Sequence, residues 1–163
     1  MRQRGFSLVE LLVVMTLIGI LLAIATYNWS QMQTKSAIEN QIKMIHADLM
    51  EVRLQALYTK TARVVNISDR QYKAYATTDT TVPPVVVKQL TYPVTWTPAE
   101  STSLTFDAQG LMNGNEKSLC ILPTNDTTVV NSATVDSIVI SQARINLGWR
   151  KGGDCKSDSI DQK

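Results

Sequence analysis

The chain has 163 residues, 44% of them hydrophobic, and a formal net charge of +2. Arg2 and Arg4 account for that excess, so from Phe6 onward the side chains carry no net charge. This excludes a globally basic nucleic-acid binder and leaves only a local patch to consider, while the length allows one small domain beyond an N-terminal apolar segment.

The first element is that segment. A short lead containing Arg2 and Arg4 precedes an apolar run from Phe6 to Ala25, interrupted by Ser7, Glu10, Thr16 and Gly19. About 20 residues of helix span ~30 Å, the thickness of a bilayer's hydrocarbon core. The expectation is a membrane-crossing helix, with the two arginines holding the N-terminus in the cytoplasm and the rest of the chain outside. Glu10 is the exception within it. A carboxylate at the centre of a membrane helix costs about 2.5–3.5 kcal/mol by insertion scales. Either it reaches back to the headgroups, or a buried cation neutralises it. A free amine on Phe6 would be such a cation, which requires a cut after Gly5. An ordinary secretory signal, cleaved after the A-x-A of Ala23-Ile24-Ala25, is the competing reading and leaves Glu10 unexplained.

Gly5-Phe6-Ser7-Leu8-Val9-Glu10, between a basic leader and a long apolar helix, resembles the processing site of type IV prepilins and type II secretion pseudopilins. The resemblance implies cleavage between Gly5 and Phe6 by a prepilin peptidase, with N-methylation of Phe6. It also implies a filament of pilins in which Glu10 pairs with the N-terminus of a neighbouring subunit.

The helical pattern continues past the apolar run. Ile38, Ile42, Ile45, Leu49, Val52 and Ala56 form one stripe, and Lys35, Glu39 and Lys43 are spaced for i, i+4 pairing on another face. With no proline before Pro83, one helix from about Phe6 to about Lys60 is predicted. The period then changes to two. Arg63–Ile67 and Tyr72–Ala76 read as strands joined by a hairpin turn at Ser68–Gln71. Thr77–Pro84 reads as a loop and Val85–Leu90 as a strand. Tyr92–Ser103 carries Pro93 and Pro98 and reads as an edge or irregular segment. Leu104–Phe106 and Ser118–Leu122 are further strands, with a turn at Asp107–Gly110 where glycine permits positive φ. Pro123–Thr134 is loop, Ser137–Ser141 and Arg144–Leu147 a final hairpin, and the polar tail from Trp149 is expected to be loose except at Cys155.

A long helix followed only by strands predicts an α+β fold, the helix packed on an antiparallel sheet. The expected organisation is a leader at 1–5, a transmembrane or filament-core helix at 6–29, an amphipathic continuation at 30–61 and a β-rich head at 62–163. The head is similar to the GspH/FimT group of minor pilins and pseudopilins, through Leu104–Gly110 (F-D-x-x-G) and Ser137–Ile145. That group usually has glycine where this chain has Ala143. Major pilins often carry a proline near the end of the membrane helix; here the residues are Thr26-Tyr27-Asn28, which favours a minor component.

Two cysteines, Cys120 and Cys155, read as a disulfide in an exported domain, free thiols being the alternative. His46, the single histidine, neighbours the helix stripe and reads as structural. No nucleophile elbow, metal motif or nucleotide loop occurs, so no enzyme activity, cofactor or metal is expected. Three N-x-S/T matches, beginning at Asn28, Asn66 and Asn125, are chance patterns in a bacterial-looking chain. Late in the sequence Arg144, Arg150, Lys151 and Lys156 gather around Trp149, a patch of the kind that binds phosphates and stacks bases. DNA-uptake members of the resembling group place Gly-Arg-x-Arg there; Ala143-Arg144-Ile145-Asn146 lacks one arginine, and Asp154, Asp158 and Asp161 dilute the charge. The expected function is a structural subunit near the tip of a type IV pilus or type II secretion pseudopilus. It would be held first in the bacterial inner membrane with its head in the periplasm. A DNA-binding minor pilin for uptake is the alternative.

Overall fold

The computed structural model describes residues 7–99, 102–122 and 133–163, and within that set the side chains of 25–28, 30 and 31 are also left undescribed. The chain forms two compact units, Met1–Thr34 and Lys35–Lys163. One helix, α1 (Leu8–Thr59), contributes to both.

In the first unit the apolar side chains of α1 lie open on every side, from Leu8 at 80% exposure to Ile24 at 59%. A helix that is apolar all round requires a lipid or protein environment to cover it. Among the described residues no helix is long and apolar enough to cross a membrane; the fully described part of the run ends at Ile24.

In the second unit α1 buries Ile38, Ile42, Ile45, Leu49, Val52 and Ala56, the six stripe positions read from the sequence. They pack on a seven-stranded antiparallel sheet made of β1 (Arg63–Tyr75), β2 (Val86–Thr97), β3 (Ser103–Phe106), β4 (Lys117–Ile121), β5 (Ser137–Ile140), β6 (Ile145–Arg150) and β7 (Ile160–Gln162), in the order β3-β1-β2-β4-β5-β6-β7. The expected α+β fold is therefore present. Alternation sorts the strands' side chains: Leu119, Ile121, Ile138 and Ile140 join the helix-facing core, whereas Cys120 and Val139 fall on the other face with Cys155 and Ile160.

Two local expectations are corrected and a third is narrowed. Ser68–Gln71 is not a hairpin turn: β1 runs through it, and Ser68, Asp69 and Arg70 are simply exposed. Asp69 adopts φ 49°, and the register with β2 jumps from Asp69↔Val94 to Gln71↔Gln89. The polar run marks a bulge, with Asp tolerating the left-handed conformation, rather than a reversal. The reversal comes later, between Tyr75 and Val86, where Asp79 Oδ1 accepts from the amide and hydroxyl of Thr81 at 2.8 and 2.6 Å.

Of the two readings at Pro93, edge or irregular, the irregular one holds and the edge does not. β2 is interior, between β1 and β4, and Pro93 sits within the residues that the register jump leaves over. Its missing N–H is harmless there, and its carbonyl accepts from Leu122 N at 3.1 Å. The neighbouring Tyr92 amide donates to Gln41 Oε1 and its carbonyl accepts from Gln41 Nε2, both at 2.9 Å. The buried Gln41 thus replaces the ladder bonds that the bulge removes.

The tail after Trp149 is built into the sheet: β6 reaches Arg150, and β7 pairs with it through Gly148↔Gln162, Trp149↔Asp161 and Arg150↔Ile160. Ile160, buried beside the two cysteines, provides the apolar anchor. At the predicted Asp107–Gly110 turn, Gly110 has φ 72° and donates to Asp107 O at 2.9 Å. A Cβ there would also come within 2.7 Å of Leu57 Cγ, so two constraints favour glycine.

Candidate functional site

Gly5 and Phe6, the expected processing site, lie outside the described residues. Glu10 is described. It sits exposed in the first turn of α1, where the Leu11 amide already donates to Ser7 O at 3.2 Å. An acid in a helix's first turn faces unsatisfied N–H groups and is favoured there. In an apolar environment that dipole is too weak to offset a buried carboxylate, and a nearby ammonium becomes the natural partner.

The two cysteines form a disulfide, Cys120–Cys155, with Cα atoms 5.9 Å apart. It ties β4 to the segment ahead of β7, on the sheet face away from α1. Ser118 Oγ donates to Cys155 O, adding a buried polar tie to the same segment.

The late cationic cluster is divided. Arg144 is exposed in the turn between β5 and β6, and Trp149 is half-buried in β6. Lys151 lies 3.4 Å from Asp161 and Lys156 lies 3.4 Å from Asp154, all four side chains more than half exposed. Pairs so exposed contribute little energy and are readily broken, but each carboxylate cancels its neighbour's charge. Arg150 is not on the surface at all. Its side chain and that of Asp136 are both 0% exposed, with Nε 3.0 Å from Oδ2. The Arg150 amide donates to Asp136 Oδ1 at 3.1 Å, and Nη1 donates to Gly153 O at 3.4 Å. Alternation places Arg150 on the inward side of the tail strand, so it holds structure and is removed from the candidate DNA surface. Sequence reading missed this pair because Asp136 stands before β5, fourteen residues away, and meets Arg150 only when the β5–β6 hairpin closes.

The remaining helix-to-sheet ties are polar. His46 Nε2 lies 3.1 Å from Ile145 O, a structural role as read. Lys88 Nζ reaches both oxygens of Asp48 at 2.8 Å, and Arg53 Nε donates to Gly110 O at 2.8 Å. Glu39 accepts from the Thr134 amide at 2.8 Å and lies 3.6 Å from Lys43. The Thr134 amide, ahead of Lys43 and Lys35, holds the Glu39 carboxyl below the ordinary carboxylate range against the opposing effect of burial. A lowered folded pKa stabilises the fold above the ordinary carboxylate pKa, and that contribution is lost as pH falls through the folded value. The stability gap between wild type and Glu39→Gln is expected to be widest near neutral pH and to close in the acid range. Urea midpoints at stepped pH measure it; a gap independent of pH would show that the carboxylate's charge is irrelevant there. Among the described residues no group of three or more His, Cys, Asp or Glu is placed to hold a metal ion.

Residues 1–26 match the family described as Prokaryotic N-terminal methylation motif. The fold is similar to two crystal forms of the Pseudomonas aeruginosa type IV minor pilin FimU. One is 21% identical with a TM-score of 0.52, covering 69% of this chain and 90% of that one. The other is 20% identical with a TM-score of 0.54, covering 69% and 86%. No curated protein matches the chain. The chain thus carries an N-terminal methylation motif ahead of a fold similar to that of this minor pilin.

Proposed function

We propose that the chain is a minor pilin, a non-catalytic structural subunit that is processed at Gly5–Phe6 and assembled into a type IV pilus or a related pseudopilus. The observation that carries this reading is the methylation motif over residues 1–26 placed directly ahead of a pilin fold. The all-round apolar surface of residues 8–24 supports it, because such a surface needs lipid before assembly and neighbouring subunits afterwards. The inner membrane, the prepilin peptidase and other pilins are the implied partners. A place near the filament tip is part of the same proposal.

Intact mass of the membrane-extracted protein tests the processing step. A mature chain beginning at Phe6, one methyl group heavier than its sequence and lacking Arg2 and Arg4, is expected. A start after Ala25, or an intact Met1, overturns the assignment.

Glu10 carries the assembly step. Glu10→Ala makes the helix more apolar, so insertion should be retained. Loss of the carboxylate removes the partner of a neighbour's N-terminal ammonium, and recovery in sheared filaments should fall at least tenfold relative to wild type. Undiminished recovery would refute the pairing.

A further inference from the structure

The connection from β3 to β4 carries the one Asn-Gly step in the chain, Asn113-Gly114. Its first half is anchored. Phe106 bridges to the buried Met112, Met112 N donates to Gln142 O at 2.8 Å, and Asn113 N donates to Thr105 O at 2.9 Å. Its second half is open. Residues 113–116 are exposed, Gly114 has φ 104°, and a Cβ built on it would meet no atom within 4 Å. Among the described residues neither the Gly114 amide nor the Asn113 side chain has a hydrogen-bond partner.

That combination permits an intramolecular attack. A backbone N–H with no acceptor in the fold can surrender its proton to a base in solvent. Its nitrogen is tethered to the side-chain carbonyl carbon of the preceding asparagine, and closing on that carbon makes a five-membered ring. A tether this short raises the effective concentration of nucleophile and carbonyl far above that of free reactants. Glycine favours the closure because it has no Cβ to crowd the turning backbone. The fold denies these conditions to other asparagines. The amide after Asn66 is Ile67 N, which donates to Thr102 O at 2.8 Å, and Asn40 lies inside α1, where the Gln41 amide belongs to the helix ladder.

We propose that Asn113 is a site of spontaneous covalent modification, deamidation through a succinimide. Gly114 N gives its proton to hydroxide or water and bonds to Asn113 Cγ. The Cγ–Nδ2 bond breaks, and Nδ2 leaves as ammonia with a proton taken from solvent. Water then opens the ring. Addition at the Cγ carbonyl gives aspartate; addition at the backbone carbonyl gives isoaspartate, with the main chain running through Cβ and Cγ. The net change is one water consumed and one ammonia released, with no oxidant or reductant. The bonds made by Met112 N and Asn113 N precede the altered link, so the sheet keeps its pairing there. The mature chain, whose side chains carry no net charge from Phe6 onward, gains one negative charge on an exposed loop as it ages.

The test incubates the full-length protein in detergent micelles in mildly alkaline buffer and follows the tryptic peptide Gln89–Lys117 by chromatography and mass spectrometry. Two products are expected, each one mass unit heavier than the parent, with the gain at residue 113 and isoaspartate the larger. Conversion in the folded protein should run within about tenfold of that in the urea-unfolded chain, as an open loop requires. Asn113→Gln, whose closure would need a six-membered ring, should leave the peptide unmodified over the same period. Gly114→Ala should slow conversion by about tenfold or more. A folded protein that stays unmodified while the unfolded chain converts would overturn the proposal, because the fold would then hold the step closed. Conversion persisting in Asn113→Gln would place the chemistry at Asn115 instead, and an unchanged rate in Gly114→Ala would remove Gly114 from it; either result overturns the site.

Discussion

Asp136→Ala is expected to lower the stability of the head by about 3–5 kcal/mol, a large part of the 5–15 kcal/mol typical of a small domain. Asp136 and Arg150 are both fully buried, and Asp136 accepts from both the Arg150 side chain and its amide. Removing the carboxylate strands a guanidinium under the tail with Gly153 O as a long, uncharged partner at 3.4 Å. Arg150→Ala does the converse and takes the cation away from a buried carboxylate. The argument is about an unpaired buried charge, not about the attraction of the pair, and the two can be told apart. Asp136→Leu combined with Arg150→Met removes both charges at similar volume and should recover most of the loss, since apolar replacement of a whole buried pair is often neutral or stabilising. Lys151→Ala, which breaks a pair about 60% exposed, should change stability by less than about 1 kcal/mol. Urea unfolding of the four variants measures the set. Single substitutions as mild as Lys151→Ala, or a double variant as unstable as the singles, would contradict the assignment.

That pair also marks the limit of what the amino-acid order conveys. The helix stripe from Ile38 to Ala56 was legible because burial on a helix repeats every three or four residues, and all six positions are buried. The N-terminal motif was legible because its parts are contiguous. Features that depend on which strands become neighbours were not. Arg150 was read as a surface cation because a sequence displays charge without displaying its partner. Ser68–Gln71 was read as a turn because polarity and an Asp of positive φ occur in turns and bulges alike. Pro93 was read as marking either an edge or an irregular segment, and the two could not be separated because its repair by Gln41, 51 positions away from Tyr92, has no local signal. The tail was read as loose because a three-residue strand, Ile160–Gln162, is too short to show a period.

Replacing Cys120 and Cys155 by serine is expected to destabilise the head by about 3–4 kcal/mol and to lower its melting temperature by about 10 °C, the cross-link closing a loop of 35 residues. The consequence should be uneven. β7 has three residues, and its apolar anchorage is Ile160 against Cys120, Val139 and Cys155. Its backbone is held besides by the β6 ladder, by Lys151 N to Ser159 O at 3.0 Å and by Lys163 N to Leu147 O at 2.9 Å. A short ladder on an edge opens easily once its anchor is loosened. Amides of β7 should therefore lose exchange protection at temperatures where those of α1 from Ile38 to Ala56 keep theirs. A second substitution reaches the same anchor without touching sulfur. A Cβ on Gly148 would collide with Ile160 Cγ2 and lie 3.1 Å from Asp161 O, so Gly148→Ala must displace Ile160 or the strand that carries it. If both perturbations expose β7 and spare α1, the tail is clamped by the cysteine–Ile160 cluster. Protection of β7 persisting in both would mean that the ladder alone holds it. Loss spreading at once to α1 would mean that the tail and the helix unfold as one unit.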